Sequence, residues 1–281
     1  MRTFNTISQT KQFLLKAKKE GKSIGFVPTM GALHEGHLTL MRRAKNENDL
    51  LAVSVFVNPI QFNNPEDLKK YPRDLEKDKQ LLKSVGCDVV FAPTVDEMYP
   101  EEKVTEHFDF GKLETVMEGA FRPGHFNGVA VVVKRLFNII TPDRAYFGEK
   151  DFQQLAIIKQ LVKMENMPVE IIPCPIVREP DGLAMSSRNE RLTPDERALA
   201  PFIHQTLQQA VQQKTEKSPM EIMQWVTDKF KEHPAFVLEY FELADDVFLQ
   251  PVTRWEKNKG TIGFIAAFLG DVRLIDNIRF Y

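Results

Sequence analysis

The sequence predicts an α/β fold, a parallel sheet with helices on both faces, followed by a smaller C-terminal α+β domain. Three observations carry this. Short β-rich runs alternate with longer helical patterns through the first two thirds of the chain, the order that builds a parallel sheet covered on both sides. Near Arg188 the pattern changes to two helical segments and then a set of strands. The 281 residues are 43% hydrophobic and 10% aromatic, enough for one large core or two.

Taken in order, residues 1–22 lack a long apolar core between a basic start and a small-residue cleavage site, so they read as a surface helix rather than a signal peptide. Residues 24–27 (IGFV) form a first strand, followed by a Gly-containing turn and a helix that carries Leu38, Met41 and Ala44. Residues 51–57 (LAVSVFV) form a second strand. A charged helix over 74–85 turns Leu75, Leu81, Leu82 and Val85 inward. Residues 88–92 form a third strand, closed by Pro93. The run 129–140 has strand-like composition, but its length and its outward Lys134, Arg135 and Asn138 make it a buried helix. A strand at 144–147 and a helix at 151–164 follow, the helix with Leu155, Ile158, Leu161 and Val162 at three- or four-residue steps. Residues 169–172 end this region as a fifth strand before Pro173. Beyond it, Thr193 caps a helix over 194–213 and a second spans 219–233. Strands at 237–243, 260–268 and 272–275 complete the chain, the last two joined at Gly270–Asp271. Domains are expected over 1–187 and 188–281.

Charge and cysteine content exclude several function classes. Lys and Arg total 37 against 39 Asp and Glu, a net charge of −2, so bulk charge is not suited to long nucleic acid. Cys87 and Cys174 are far apart, with no CxxC or Cys/His cluster, which argues against a disulfide framework or structural zinc and for a reducing, cytoplasmic setting. No apolar stretch approaches the ~20 residues that cross a bilayer.

In parallel sheets ligands sit beyond the carboxyl ends of the strands, and four polar segments fall after such ends or at the change of pattern. In PTMGALHEGHL (28–38) Gly31 and Gly36 let a ligand approach the backbone. His34 and His37 can face the same way at a helix start whose N–H groups suit a phosphate. HEGH is too short for the i, i+4 zinc spacing of HExxH. MSSRN (185–189) offers two hydroxyls and a guanidinium as a phosphate clamp, or a polar linker. In GEKDFQQ (148–154) Lys150 can meet a triphosphate and Asp151 can cap a helix or bind nucleotide or metal. In FVNPIQF (56–62) Asn58 and Gln61 can orient a hydroxyl or carboxylate, or simply form a turn. Independent turn signals have no reason to share one edge.

Together these segments resemble the pantothenate synthetase family, the pantoate–β-alanine ligases. PTMGALHEGH is similar to that family's HIGH motif and MSSRN to its KMSKS loop. FVNPIQF, FRPGHFNGV (121–129) and YFGEKDFQQ (146–154) complete the resemblance, which runs over about 24–192. It implies a Rossmann-like fold and the reaction of ATP with pantoate to a pantoyl adenylate and pyrophosphate, then attack by β-alanine to give pantothenate and AMP. By the family pattern His34 and His37 contact phosphate, with His37 the better acid. Lys150 stabilises charge passing to pyrophosphate, and Ser186, Ser187 and Arg188 clamp phosphates. Met30, Gly31, Gly148, Asp151, Val177 and Met185 match nucleotide positions; Gln61 and Gln154, with Asn58, match the pantoate and β-alanine site. The resemblance also implies Mg²⁺ with ATP and a homodimer. The polar segment 63–78 can act as a lid. A nucleotidyltransferase that leaves the nucleotide on its product, and a non-catalytic nucleotide-binding module, are the alternatives. A tRNA synthetase is disfavoured by the short chain and near-neutral charge.

Overall fold

The computed structural model describes residues 1–100, 105–256 and 259–281. In chain order the strands are β1 (Arg2–Phe4), β2 (Ile24–Thr29), β3 (Leu50–Val55), β4 (Val89–Phe91), β5 (Arg144–Gly148), β6 (Glu170–Cys174), β7 (Phe236–Asp245), β8 (Thr261–Leu269) and β9 (Val272–Arg279). The helices are α1 (Ile7–Lys19), α2 (Glu35–Glu47), α3 (Pro65–Lys70), α4 (Leu75–Ser84), α5 (Val95–Met98), α6 (Met117–Phe121), α7 (His125–Ile140), α8 (Phe152–Met164), α9 (Pro194–Leu199), α10 (Phe202–Gln212) and α11 (Pro219–Lys231).

Among the described residues β1–β6 form one parallel sheet in the order β1-β4-β3-β2-β5-β6. From β2 the chain winds outward through β3 and β4, then returns to place β5 and β6 on the other side. The strand order therefore reverses beside β2, where an open α/β sheet leaves a crevice. Pro28, inside β2, has no N–H to give. Its neighbour Thr29 offers its carbonyl to Phe56 beyond β3, so Pro28 faces β5, whose pairing with β2 stops at Phe26. The proline thus falls where the ladder has already opened.

The predicted strands and helices of this region are found, and 129–140 is helical, within α7. Four short elements, β1, α3, α5 and α6, lie outside the sequence reading. β1 carries no sequence signal: three residues are too few to show a period, and Arg2–Phe4 is held as an edge partner of β4 and by packing of Arg2 and Phe4 on Phe13 of α1. The segment 63–78 contains α3 and the start of α4, and Asp78 is buried.

The second sheet, β7-β8-β9, is antiparallel. Leu269 faces Val272, so Gly270 and Asp271 form the two-residue turn expected. Helices α10 and α11 supply Ile203, Leu207, Ile222, Val226 and Phe230 to a core shared with Phe241, Ile265 and Leu274. The single helix expected over 194–213 is two helices, α9 and α10, because Pro201 lacks the N–H that a continuous helix requires there. Thr193 caps α9 through a capping box with Glu196.

By internal packing the chain divides into two units. One comprises 1–110, 122–149 and 154–175; the other comprises 111–121, 150–153 and 176–281. The change of unit at 175/176 precedes the change of sequence pattern near Arg188.

Candidate active site

In the first unit the turn after β2 is built around a left-handed step. Gly31 has φ +82° and Ala32 φ +50°. A Cβ on Gly31 would stand 2.8 Å from the Asp78 carboxylate, so glycine is required by both torsion and space. Asp78 accepts the Ala32 N–H at 3.1 Å and the Leu33 N–H at 2.8 Å, fixing the turn immediately before His34. Burial pushes the Asp78 carboxyl above the usual carboxylate range, while these two bonds pull it back.

His34 is the N-cap of α2. Its N–H donates to Nδ1 of His37 at 3.3 Å, and the two rings lie 4.1 Å apart. With Nδ1 accepting, the neutral His37 ring carries its proton on Nε2. This arrangement gives the α2 N-terminus an imidazole N–H donor in addition to its own backbone donors.

Asn58 and Gln61 lie after β3 on a 3-10 turn, Pro59–Gln61, and both are buried. The structure separates their roles. Asn58 uses both amide hydrogens, on Gln61 Oε1 (3.0 Å) and the Gly128 carbonyl (3.1 Å), and its oxygen accepts from the Tyr99 hydroxyl at 2.7 Å. It is therefore committed to holding Gln61. Gln61 Nε2 donates to the Met30 sulfur at 3.3 Å, a weak acceptor that a stronger one can displace. The Gln61 carbonyl accepts from His125 Nδ1 at 2.8 Å and from Arg122 at 3.4 Å. A Cβ on Gly128 would lie 2.6 Å from the Ile60 carbonyl oxygen, so only glycine lets α7 pack this closely on the turn. Gly148 ends β5 opposite Cys174. The Gln154 side chain, half-buried on α8, makes no hydrogen bond to the described residues, whereas that of its neighbour Gln153 binds the backbone of Leu113, Val116 and Glu118.

The second unit carries the remaining candidates. Lys150 and Asp151 occupy a 3-10 turn, with Nζ 3.7 Å from the Asp151 carboxylate. Val177 accepts the Met185 N–H at 3.0 Å, closing a hairpin that leads into Ser186, Ser187 and Arg188. Ser186 caps the following 3-10 turn, its hydroxyl accepting the Arg188 N–H, and Ser187 is buried. Among the described residues no three His, Cys, Asp or Glu side chains come together as a metal nest, and no helix is long and apolar enough to cross a membrane.

A family model for pantoate–β-alanine ligase matches residues 2–279. The chain belongs to the pantoate–β-alanine ligase family. It is 52% identical to a pantothenate synthetase of Christiangramia forsetii over 279 residues, 99% of each chain, and 51% identical to one of Bacteroides fragilis, covering 100% of this chain and 99% of that one. Among solved structures, a pantothenate synthetase from Thermus thermophilus superposes with a TM-score of 0.93 at 43% identity over all of both chains. A pantoate–β-alanine ligase from Francisella tularensis, complexed with beta-gamma ATP and beta-alanine, gives 0.84 at 38% identity over 99% of this chain and 97% of that one. Membership makes the chain an ATP-dependent ligase that joins pantoate to β-alanine.

Asp78 and Tyr99, which hold the candidate turns, lie outside the quoted motifs. Asp78 sits on the inner face of α4 at a position the helical period reserves for an apolar side chain, which is a usable signal. Tyr99 bonds Asn58, 41 residues away, and Arg122 and His125, within FRPGHFNGV, meet the Gln61 backbone carbonyl 61 and 64 residues away; spacing reveals none of these pairings.

Proposed function

We propose that the ligase works in two half-reactions. A pantoate carboxylate oxygen attacks the α-phosphorus of ATP, the bond to the β-phosphate oxygen breaks, and pyrophosphate leaves. The β-alanine amine then attacks the acyl carbon of pantoyl adenylate, the acyl–oxygen bond breaks, the amine loses a proton, and pantothenate and AMP result. The observation that carries this reading is the His34–His37 bond at the start of α2. It fixes the orientation and tautomer of an imidazole at a helix N-terminus, a setting that stabilises phosphoryl oxygens as their charge grows.

In this reading Met30, Gly31, His34, His37, Gly148, Lys150, Asp151, Val177, Met185, Ser186, Ser187 and Arg188 bind the nucleotide, with Lys150 and Arg188 offsetting the charge that passes to pyrophosphate. Gln61 and Gln154 bind pantoate, and Gln61 also borders β-alanine; Asn58 orients Gln61. Residues 1–187 bind nucleotide and pantoate, 188–281 act as a lid domain, and 63–78 can cover the site. Mg²⁺ enters as part of the nucleotide substrate. We further infer a homodimer, which sedimentation tests, in the cytoplasm, where the free, buried Cys87 and Cys174 remain reduced.

The test is incubation of ATP and pantoate with and without β-alanine. AMP and pantothenate in equal amounts, only when both acids are present, are expected. A stable nucleotidylated product that β-alanine cannot discharge indicates a nucleotidyltransferase, and absence of turnover a binding module.

A further inference from the structure

Lys150 and the 185–188 turn come from separate stretches of chain, yet both are tied to one point on β9. Asp276 and Asn277 are consecutive and buried, at 4% and 6% exposure. Successive strand residues face opposite sides of a sheet, so β9 buries a polar side chain on each face. A buried polar group is costly unless it is hydrogen-bonded, and the partners here are specific.

On one face Asp276 holds Arg178 through two bonds, 2.6 and 2.9 Å. Arg178 passes the constraint to the hairpin it opens. Its guanidinium donates to the Gly182 carbonyl at 3.1 Å, its backbone bridges Ala184, and the Glu179 N–H donates to Leu183 at 2.8 Å. That hairpin delivers Met185 to Arg188. On the other face the Asn277 amide donates to the Lys150 carbonyl at 3.0 Å. Phe264, the cross-strand partner of Asn277, packs its ring against Phe152 at 5.8 Å. The backbone that carries Lys150 is thus held at its own carbonyl and again two residues on, at Phe152. The two anchors are also joined to each other, because Arg178 donates to the Asn277 carbonyl at 3.3 Å.

We propose that Asp276 and Asn277 are positioning residues for adenylation, Asn277 setting the backbone from which Lys150 projects and Asp276, through Arg178, setting the turn that carries Ser186, Ser187 and Arg188. This rests on the reading of Lys150 and of residues 186–188 as phosphate contacts. Lys150 stabilises a departing pyrophosphate, so its displacement slows adenylation and leaves the second half-reaction alone. A small misplacement of a reacting or stabilising group is enough for a loss of about tenfold or more.

The experiment is a double-mutant cycle on adenylate formation in a single turnover. Asn277→Ala is expected to slow that step about tenfold, while capture of supplied pantoyl adenylate by β-alanine changes less than about twofold. In a Lys150→Ala background Asn277→Ala adds little, because groups that act through one another are not additive. Asp276→Asn is measured against Arg188→Ala in the same way, with the same expectation, and Asn277→Ser is used if the alanine variant does not fold. Equal losses from Asn277→Ala with and without Lys150, or an equal slowing of both half-reactions, overturn the proposal while the ligase reading stands. Normal adenylation by Lys150→Ala itself overturns the reading of Lys150 and this proposal with it.

Discussion

In the first unit His34 and His37 are placed by three residues of local geometry and one carboxylate beneath the turn. In the second, Lys150 and the 186–188 turn depend on Asn277 and Asp276, 127 and 98 residues from the groups they hold. The first unit reaches its geometry through backbone torsion and close packing; the second reaches it through buried long-range polar contacts, an amide on the Lys150 carbonyl and the Arg178–Asp276 ion pair. Arg273 adds to that pattern, bonded to Glu118 at 2.6 Å and to Glu239 at 2.9 Å. Pre-organisation from short-range geometry is cheap in conformational entropy, whereas long-range ion pairs add cooperativity and make the unit sensitive to loss of a single partner.

The largest expected effect tests that sensitivity. Arg273→Met leaves Glu118 and Glu239 without their shared cation and should cost ~3 kcal/mol of unfolding free energy, read by urea denaturation. A change under about 0.5 kcal/mol, the scale of an ordinary surface substitution, would remove the contrast between units. Next, His37→Ala and Lys150→Ala should each slow adenylation roughly 10²-fold, with little change in melting temperature for His37→Ala because its ring is held by local contacts within one turn. Near-normal single-turnover rates in either would sink that role.

Gln61→Ala should weaken pantoate binding about tenfold, the scale of a hydrogen bond to a charged group, with ATP affinity almost unchanged. A calorimetric titration showing the reverse would take Gln61 out of the acid pocket. The smallest effect concerns pH. Burial, with the neighbouring Arg178, holds the His204 imidazole below its ordinary value, although Asp276 pulls upward. The unfolded chain therefore takes up a proton near pH 6.5 that the folded one declines, so this contribution is complete above that value and is lost as pH falls below it. His204→Gln should flatten the stability profile between pH 7 and 5; an unchanged slope would exclude His204 as its source.

The same contrast separates what is legible in the sequence from what is not. The β2–α2 turn, the 3-10 turn with Gln61 and the GEKDFQQ segment are continuous motifs whose spacing carries their chemistry, and the alternation of strand and helix is enough to set them at strand ends. Asn58 is legible only in part, because it is its three bonds that reveal its service to Gln61. Arg178, Asp276 and Asn277 belong to no motif. Their signal is two polar residues in succession on a strand whose other fully buried positions, Val272 and Leu274, are apolar, and its meaning appears only once the pairing of β8 and β9 and the packing of 150–153 are known. Pro201, by contrast, is a readable helix break within a periodic run.

The chain passes between the two units at 110/111, 121/122, 149/150, 153/154 and 175/176. Neither unit is therefore a cassette. A fragment beginning at 176 would lack Glu118, the partner of Arg273, and the Lys150 carbonyl that Asn277 binds. A chimera joined at that point would inherit segments 111–121 and 150–153 from one parent and the surfaces they complete from the other. A chimera of this chain with a divergent ligase should accordingly fold only when those two short segments travel with the C-terminal third.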